Sequence, residues 1–262
     1  MLASQRQQII TEEVHTRGSV RVRELAELLE VSEMTVRRDL DLLAARGDVH
    51  KVHGGASRPT FRSTDEPEFA IKRMYQQSEK AAIAAEAASL VRPGDAVGIT
   101  GGSTTWMLCQ HLRRIPDITI VTNSLSIANG LSDLDDPSIT VVMTGGSRTK
   151  SDALVGPVAV ATIRSLRVDL VLMGVHGIAA DPGFTTPNLA EAETNRAFVN
   201  SSDRFAVLAD HTKWNVRGLA TIAPIGRADI LVTDRGLDVD ARQVIADQVV
   251  DLRLVGPEPT AP

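Results

Sequence analysis

The sequence predicts two unlike parts: a winged helix-turn-helix module joined to a larger α/β domain with a mainly parallel sheet. Three observations lead there. Helical periodicity with one tight interruption, then two short β-prone pieces, occupies the first sixty residues. Short apolar runs alternate with amphipathic helical patterns through most of the remainder. Between the two lies a polar stretch broken by Pro59 and Pro67. The expected boundaries are 1–57 for the small module, 58–77 for a linker and 78–262 for the larger domain.

Composition narrows the function classes. With 262 residues, 43% hydrophobic and 23% charged, the chain has material for a substantial core. No apolar run approaches the ~18 residues of a membrane span, and Met1 to Arg6 lack the apolar stretch of a secretory signal. A cytoplasmic protein with no membrane partner is expected. Cys109 is the only cysteine, which excludes a disulfide framework and a multi-cysteine zinc site. Five Phe, two Trp and one Tyr are too few for stacking single-stranded bases. The net charge of −5 argues against non-specific coating of nucleic acid. Residues 1–60 hold nine basic and nine acidic side chains, so the whole acidic excess belongs to the larger part.

In the first part, Ser4 to Gln7 has the pattern of a capping box, with Gln7 reaching back to the start of a helix. Ile9, Ile10 and Val14 follow at helical spacing, and Arg17-Gly18 is a stop. Val22 to Glu30 forms a second helix with Leu25, Ala26, Leu28 and Leu29 on its apolar face. Ser32 caps a third helix running to Arg46, with Val36, Leu40 and Leu43 facing the core. Thr35 and Arg38, three apart, can project together toward base edges or phosphates, and Arg37 toward backbone phosphate. The plainer alternative is that both arginines lie on a solvated helix face and pair with Asp41. After Gly47, two β-prone pieces with Lys51, His53 and Gly54-Gly55 suggest a wing. His50 and His53 read as wing surface, since no cysteine or carboxylate completes a zinc site. Ser32, Glu33, Thr35, Arg37, Arg38, Lys51 and His53 are the residues expected at DNA.

The run Val31-Ser32-Glu33-Met34-Thr35-Val36-Arg37-Arg38-Asp39-Leu40, followed by His53-Gly54-Gly55-Ala56, resembles the signature of the DeoR family of bacterial transcription regulators. The resemblance spans residues 3–57. It implies a winged helix-turn-helix that binds double-stranded operator DNA, followed by a sensor domain for a phosphorylated sugar.

In the larger part, Ser78 caps an alanine-rich helix to Val91. Strands are expected at 96–100, 118–122, 139–144, 168–175, 205–209, 220–223, 230–233 and 249–254. Helices are expected at 104–112, 125–131, 158–166, 189–200 and 241–248. Ligands of parallel sheets bind beyond the carboxyl ends of the strands. Those ends share a chemistry: Gly101-Gly102-Ser103-Thr104-Thr105, Thr122-Asn123-Ser124, Gly145-Gly146-Ser147, Gly174-Val175-His176-Gly177 and Asp210-His211-Thr212-Lys213. Small, hydroxylic or amide residues at five successive ends suit a polyhydroxylated anion. Each Gly-Gly alone reads equally as turn chemistry. Neither a P-loop nor a Gly-x-Gly-x-x-Gly fingerprint is present, so no nucleotide cofactor is expected, and no metal.

The same family resemblance continues through about residues 66–235 and implies a fold similar to ribose-phosphate isomerase, glucosamine-phosphate deaminase and CoA transferases. It implies that Gly101 to Thr105 cradles a phosphate. Asn123, Glu191 and Asp210 would address sugar hydroxyls, and Lys213 an anion. Many members carry lysine where this chain has Asn195, which removes one charge contact. The resemblance favours a repressor of carbohydrate-metabolism genes, released from DNA by its sugar phosphate. Half-site spacing on B-DNA leads to an expected homo-oligomer, a dimer or tetramer. An alternative is a sugar-phosphate isomerase or deaminase with a DNA-binding arm, using Glu191, Glu193, Asp210 or Lys213 as base. A third is a DNA-binding protein whose larger domain only oligomerises.

Overall fold

The computed structural model describes residues 2–45, 48–57, 63–64, 68–132 and 138–256. The chain forms two compact units, Met1–Arg62 and Ser63–Pro262.

The smaller unit runs α1 (Ala3–Arg17), β1 (Ser19–Arg21), α2 (Val22–Leu29), α3 (Glu33–Ala45), β2 (His50–Val52) and β3 (Gly55–Ser57). Ile10, Val14, Val22, Leu25, Leu29, Val36, Leu40 and Leu43 close a core that β1 and β3 seal with Val20 and Ala56. The strands pair antiparallel in the order β1-β3-β2, so the wing carries one strand more than the sequence suggested. The expected capping box is corrected. The helix begins at Ala3, the Gln5 carboxamide oxygen accepts from the Leu2 N–H at 3.3 Å, and Gln7 instead donates to Asp39 at 3.0 Å. Ser32 does cap α3, its hydroxyl accepting from the Thr35 N–H at 3.3 Å. The expected stop at Arg46-Gly47 lies outside the described residues.

The larger unit opens with α4 (Phe69–Lys72) and α5 (Gln77–Ala88), then β4 (Ala96–Ile99), α6 (Ser103–Met107), α7 (Cys109–Leu112) and β5 (Ile118–Thr122). There follow α8 (Leu125–Ser132), β6 (Ile139–Met143), the short pair β7 (Ser147–Arg148) and β8 (Leu154–Val155), α9 (Pro157–Arg164) and β9 (Val168–Gly174). The chain continues through β10 (Gly177–Ala179), β11 (Gly183–Thr186), α10 (Leu189–Asn200), β12 (Ser202–Leu208) and β13 (Ala220–Ala223). It ends with β14 (Ile230–Asp234), α11 (Val239–Ala246) and β15 (Asp251–Val255).

Seven strands form one sheet in the order β15-β14-β12-β9-β4-β5-β6, every neighbouring pair parallel. Alternate residues along β9 sort to opposite faces. Leu170 and Leu172 join the core with Ile83, Leu108 and Ile127 of α5 to α8, while Val171 and Met173 join Val160, Phe198 and Ala241 of α9 to α11. The domain is thus three-layered, and the mainly parallel α/β architecture agrees with the sequence reading.

Three local expectations are corrected. Gln76 adopts φ +50° and α5 starts at Gln77, so Ser78 lies inside that helix rather than capping it. The expected helix 104–112 is broken at Leu108 into α6 and α7. The expected strand at 220–223 exists, yet it leaves the central sheet and pairs antiparallel with β11 in a separate β10-β11-β13 sheet. Part of the expected linker is also packed. The Leu219 N–H donates to the Ser63 carbonyl at 2.8 Å, and Phe69 to Lys72 form a helical turn on the larger unit.

Gly98 sits at the centre of the sheet on β4. A Cβ there would stand 2.8 Å from Val171 Cγ2 and 3.1 Å from Phe198 Cδ1. Gly98→Ala should therefore overpack the core and lower unfolding free energy by about 1–3 kcal/mol, read by denaturant titration. A loss under about 0.5 kcal/mol, the level of an indifferent surface change, would show that α10 can move aside.

Candidate functional site

In the larger unit the chain winds outward from β4 through β5 to β6, then restarts on the other side of β4 at β9. The ends of β4 and β9 therefore meet at the topological switch point, where the crevice of open α/β sheets receives ligands. Gly101–Thr105 leaves β4 there and Gly174–His176 leaves β9. A Cβ on Gly102 would lie 3.9 Å from the Gly174 Cα, so the two loops run side by side. The N–H groups of Gly102, Ser103, Thr104 and Thr105 have no hydrogen-bond partner among the described residues, nor do the Ser103 and Thr104 hydroxyls. Free N–H groups beside free hydroxyls form an anion-accepting surface.

The other expected residues divide into braces and open groups. Asn123 bridges two loops: its Oδ1 accepts from the Gly101 N–H at 2.9 Å, and its Nδ2 donates to the Leu154 carbonyl at 3.0 Å. Thr122 donates to the Ile99 carbonyl at 2.7 Å and accepts from the Ser124 N–H at 3.1 Å. Ser124 accepts from the Ile127 N–H at 3.3 Å, at the start of α8. Thr105 donates to the Thr100 carbonyl at 2.7 Å. These side chains hold the loops at the strand ends in place. Glu191 is likewise engaged, by the hydroxyls of Thr149 at 2.9 Å, Thr186 at 3.1 Å and Ser151. Gly145 and Gly146 take φ of +68° and +116°, and a Cβ on Gly146 would collide with the Val155 carbonyl at 2.5 Å. Their role is the turn after β6, two strands away from the crevice. Asn195 is buried in α10. His176 is half-buried, its N–H bonded to the Thr185 carbonyl at 3.2 Å.

Asp210 ends β12, next to β9, and is 2% exposed. Its Oδ1 accepts from the N–H and hydroxyl of Thr212, while its buried Oδ2 has no hydrogen-bond partner among the described residues. Burial opposes ionisation, yet Lys213, Lys80 and the Thr212 hydroxyl outweigh it and hold the carboxyl below the usual carboxylate range. An ionised oxygen that is buried and unpaired is costly unless a ligand donates to it. Lys80 was missed by the sequence reading. It is 3% exposed on α5, and its ammonium donates at 2.6 Å to the carbonyls of both Lys72 and Tyr75. Burial pushes it down to about 8 against the attraction of Asp210. The signal was present: Lys80, Ile83, Ala84 and Ala87 share one helical stripe, and a lysine on an apolar stripe needs a partner inside. Burial also pushes the Cys109 thiol up to about 11, so it behaves as a small hydrophobe. Among the described residues no cluster of His, Cys, Asp or Glu is placed to hold a metal, and no helix is long and apolar enough to cross a membrane.

In the smaller unit, α3 presents half-buried Thr35 and exposed Met34, Arg37 and Arg38. Arg37 pairs with Glu33 at 3.0 Å rather than with Asp41, and Asp41 pairs instead with Lys51 of β2. Arg38 has no ion pair among the described residues. Asp39, next in sequence to Arg38, is turned inward. It is buried against Arg6 at 2.6 Å and Gln7 at 3.0 Å. His53 is exposed at the wing turn.

Two family models match the chain: the DeoR-like helix-turn-helix domain over residues 6–61 and the DeoR C-terminal sensor domain over residues 75–235. The chain belongs to the DeoR family. Among curated DeoR-like relatives, it is 34% identical to the uncharacterized HTH-type transcriptional regulator YgbI of Escherichia coli strain K12, over 96% of this chain and 98% of that one. It is 30% identical to the glycerol-3-phosphate regulon repressor of the same strain, over 97% and 100% of the two chains. The putative aga operon transcriptional repressor of Escherichia coli O157:H7 is also 30% identical, over 97% and 94%. Among solved structures, ribose 5-phosphate isomerase from Plasmodium falciparum aligns with a TM-score of 0.40 and 16% identity over 56% of each chain. This DeoR protein is a DNA-binding transcription regulator with a sensor domain, and the reading of an enzyme with a DNA-binding arm is set aside.

Two outcomes follow from these sites. Lys80 has a folded pKa of about 8 against an ordinary 10.5, so between those values the unfolded chain holds a proton the folded chain has released. Its contribution to stability therefore rises with pH across that window. Wild type should gain on Lys80→Met between the two ends of the window in denaturant titrations, and a constant difference would contradict the depressed pKa. On DNA selected from a random pool, Arg38→Ala should cost about 1–3 kcal/mol and relax sequence preference if Arg38 reads bases. An equal loss on selected and random DNA in a filter-binding assay would reassign Arg38 to phosphate.

Proposed function

We propose that this regulator is a repressor of carbohydrate-metabolism genes whose operator affinity is set by a phosphorylated sugar in the crevice between β4 and β9. The observation that carries this reading is the row of unpartnered N–H and hydroxyl groups from Gly102 to Thr105, opposite an unpaired, buried Asp210 Oδ2. A phosphate accepts from the first set, and a sugar hydroxyl donates to the second. Lys213, half-buried beside Asp210, supplies further positive charge for the ester. The names of the glycerol-3-phosphate and aga operon repressors support the same ligand class and the same sign of control. Thr35, Arg37, Arg38 and the wing residues Lys51 and His53 meet the operator, with Ser32 and Glu33 fixing the geometry of α3. A symmetric dimer or tetramer acting in the cytoplasm fits paired half-sites.

The test is a thermal-melting screen of phosphorylated sugars, each beside its unphosphorylated parent. A ligand at ~100 times its Kd adds roughly 2.7 kcal/mol. Each kcal/mol moves the midpoint of a domain this size by about 2–4 °C. A rise with the ester and none with its parent supports the assignment. No rise with any ester removes the phosphate from Gly102–Thr105 and favours a sensor of another ligand class.

A further inference from the structure

The segment from Phe69 to Gln76 is the first described stretch of the larger unit that packs as an element, and it connects that unit in sequence to the DNA-binding module. It is held by three clasps of different chemistry. The Phe69 N–H donates to the Lys150 carbonyl at 3.4 Å. The Arg73 guanidinium lies 3.8 Å above the Trp106 ring and 5.8 Å from that of Phe69, close enough for a cation–π contact. The Lys80 ammonium gathers the carbonyls of Lys72 and Tyr75.

Each clasp ends next to a different group of the candidate site. Lys150 sits between Thr149 and Ser151, the two hydroxyls that bind Glu191 Oε1. Trp106 belongs to α6, the helix that opens at Ser103 and Thr104. Lys80 feels the charges of Asp210 and Lys213. The supports from Lys150 and Trp106 come from the connections after β6 and β4, remote in sequence from these eight residues, while Lys80 reaches back from α5, the helix that follows them.

We infer that Phe69–Gln76 is the output element of the sensor, released when a ligand in the crevice loosens the clasps from Lys150, Trp106 and Lys80. This rests on the sugar-phosphate reading above. A sugar hydroxyl donating to Glu191 competes with Ser151 and Thr149, which frees the turn carrying Lys150. A phosphate charge beside α6 and Asp210 draws the Lys80 ammonium from the carbonyls of Lys72 and Tyr75. The ligand binds the loosened arrangement better than the clasped one, which is the differential affinity that control requires. The released segment then no longer fixes the chain that leads to residues 1–57.

Amide hydrogen exchange on the full chain tests this, with glycerol 3-phosphate, ribose 5-phosphate, glucose 6-phosphate and fructose 1-phosphate as probes. An ester that raises the melting midpoint should speed exchange at residues 69–76 by about fivefold or more, the lower end of usual coupling. In Arg73→Gln, and in the double variant with Phe69→Pro, exchange there should be fast without ester and rise no further, while the melting shift persists. Arg73 is exposed and Phe69 opens a helix, where proline is accepted, so both variants should fold. An ester that raises the midpoint yet leaves exchange at 69–76 unchanged or slower overturns the inference and spares the sensor reading. Variants that respond like wild type overturn it as well. If no probe raises the midpoint, the sugar-phosphate reading fails for these esters and takes the inference with it.

Discussion

A parallel strand can be entered only from one end, and the larger domain follows from that constraint. Each connection must cross a face of the sheet to return to the start of the next strand, so helices cover both faces and the carboxyl ends collect along one edge. Seven such strands form the sheet, and the winding reverses once, between β6 and β9. The reversal opens the crevice at the ends of β4 and β9. The close packing of Gly98 under Val171 and Phe198 keeps the two central layers tight beneath it.

Polar side chains crowd that edge, and what separates them is whether their hydrogen bonds are already made. Asn123, Thr122, Ser124 and Thr105 sit in the wall with carbonyls and amides of neighbouring loops as partners. Losing any of them would leave a buried backbone group without a partner, so they fix loop shape. Ser103, Thr104 and Asp210 Oδ2 retain unused capacity. A wall made rigid by satisfied groups and lined by unsatisfied ones is pre-organised for a polar guest, because little has to be ordered when the guest arrives.

Much of this was legible in the sequence. Val36, Leu40 and Leu43 mark the buried side of α3, and Arg37, Arg38 and Asp41 mark its outer side. The span of α10, residues 189–200, was read as found, because the Asn188 carboxamide accepts from two N–H groups of its first turn. The strand at 220–223 was found but not its partner, since β-propensity says nothing about which edge a strand will join. Lys80 left a local trace on its helical stripe. The contacts of Glu191 with Thr149 and Ser151 span about forty residues and left none. Net charge counts Asp39 against its neighbour Arg38 because it ignores direction, whereas the Asp39 side chain is buried and that of Arg38 is exposed.

That buried carboxylate also fixes how the recognition helix is rolled. Neighbouring residues on a helix lie about 100° apart, so turning α3 by one residue would carry Asp39 out to the exposed position of Arg38 and Leu40 into the place of Asp39. Arg6 and Gln7 of α1 would then face no carboxylate, and the largely buried Arg6 guanidinium would lose its counter-ion. Hydrophobic residues tolerate a small roll, since contact among Val36, Leu40 and Leu43 is non-directional. A charge-assisted hydrogen bond at 2.6 Å does not. The Arg6–Asp39 pair works as a keyway, so the angular setting of the exposed Arg37 and Arg38 is decided on the buried side of the helix.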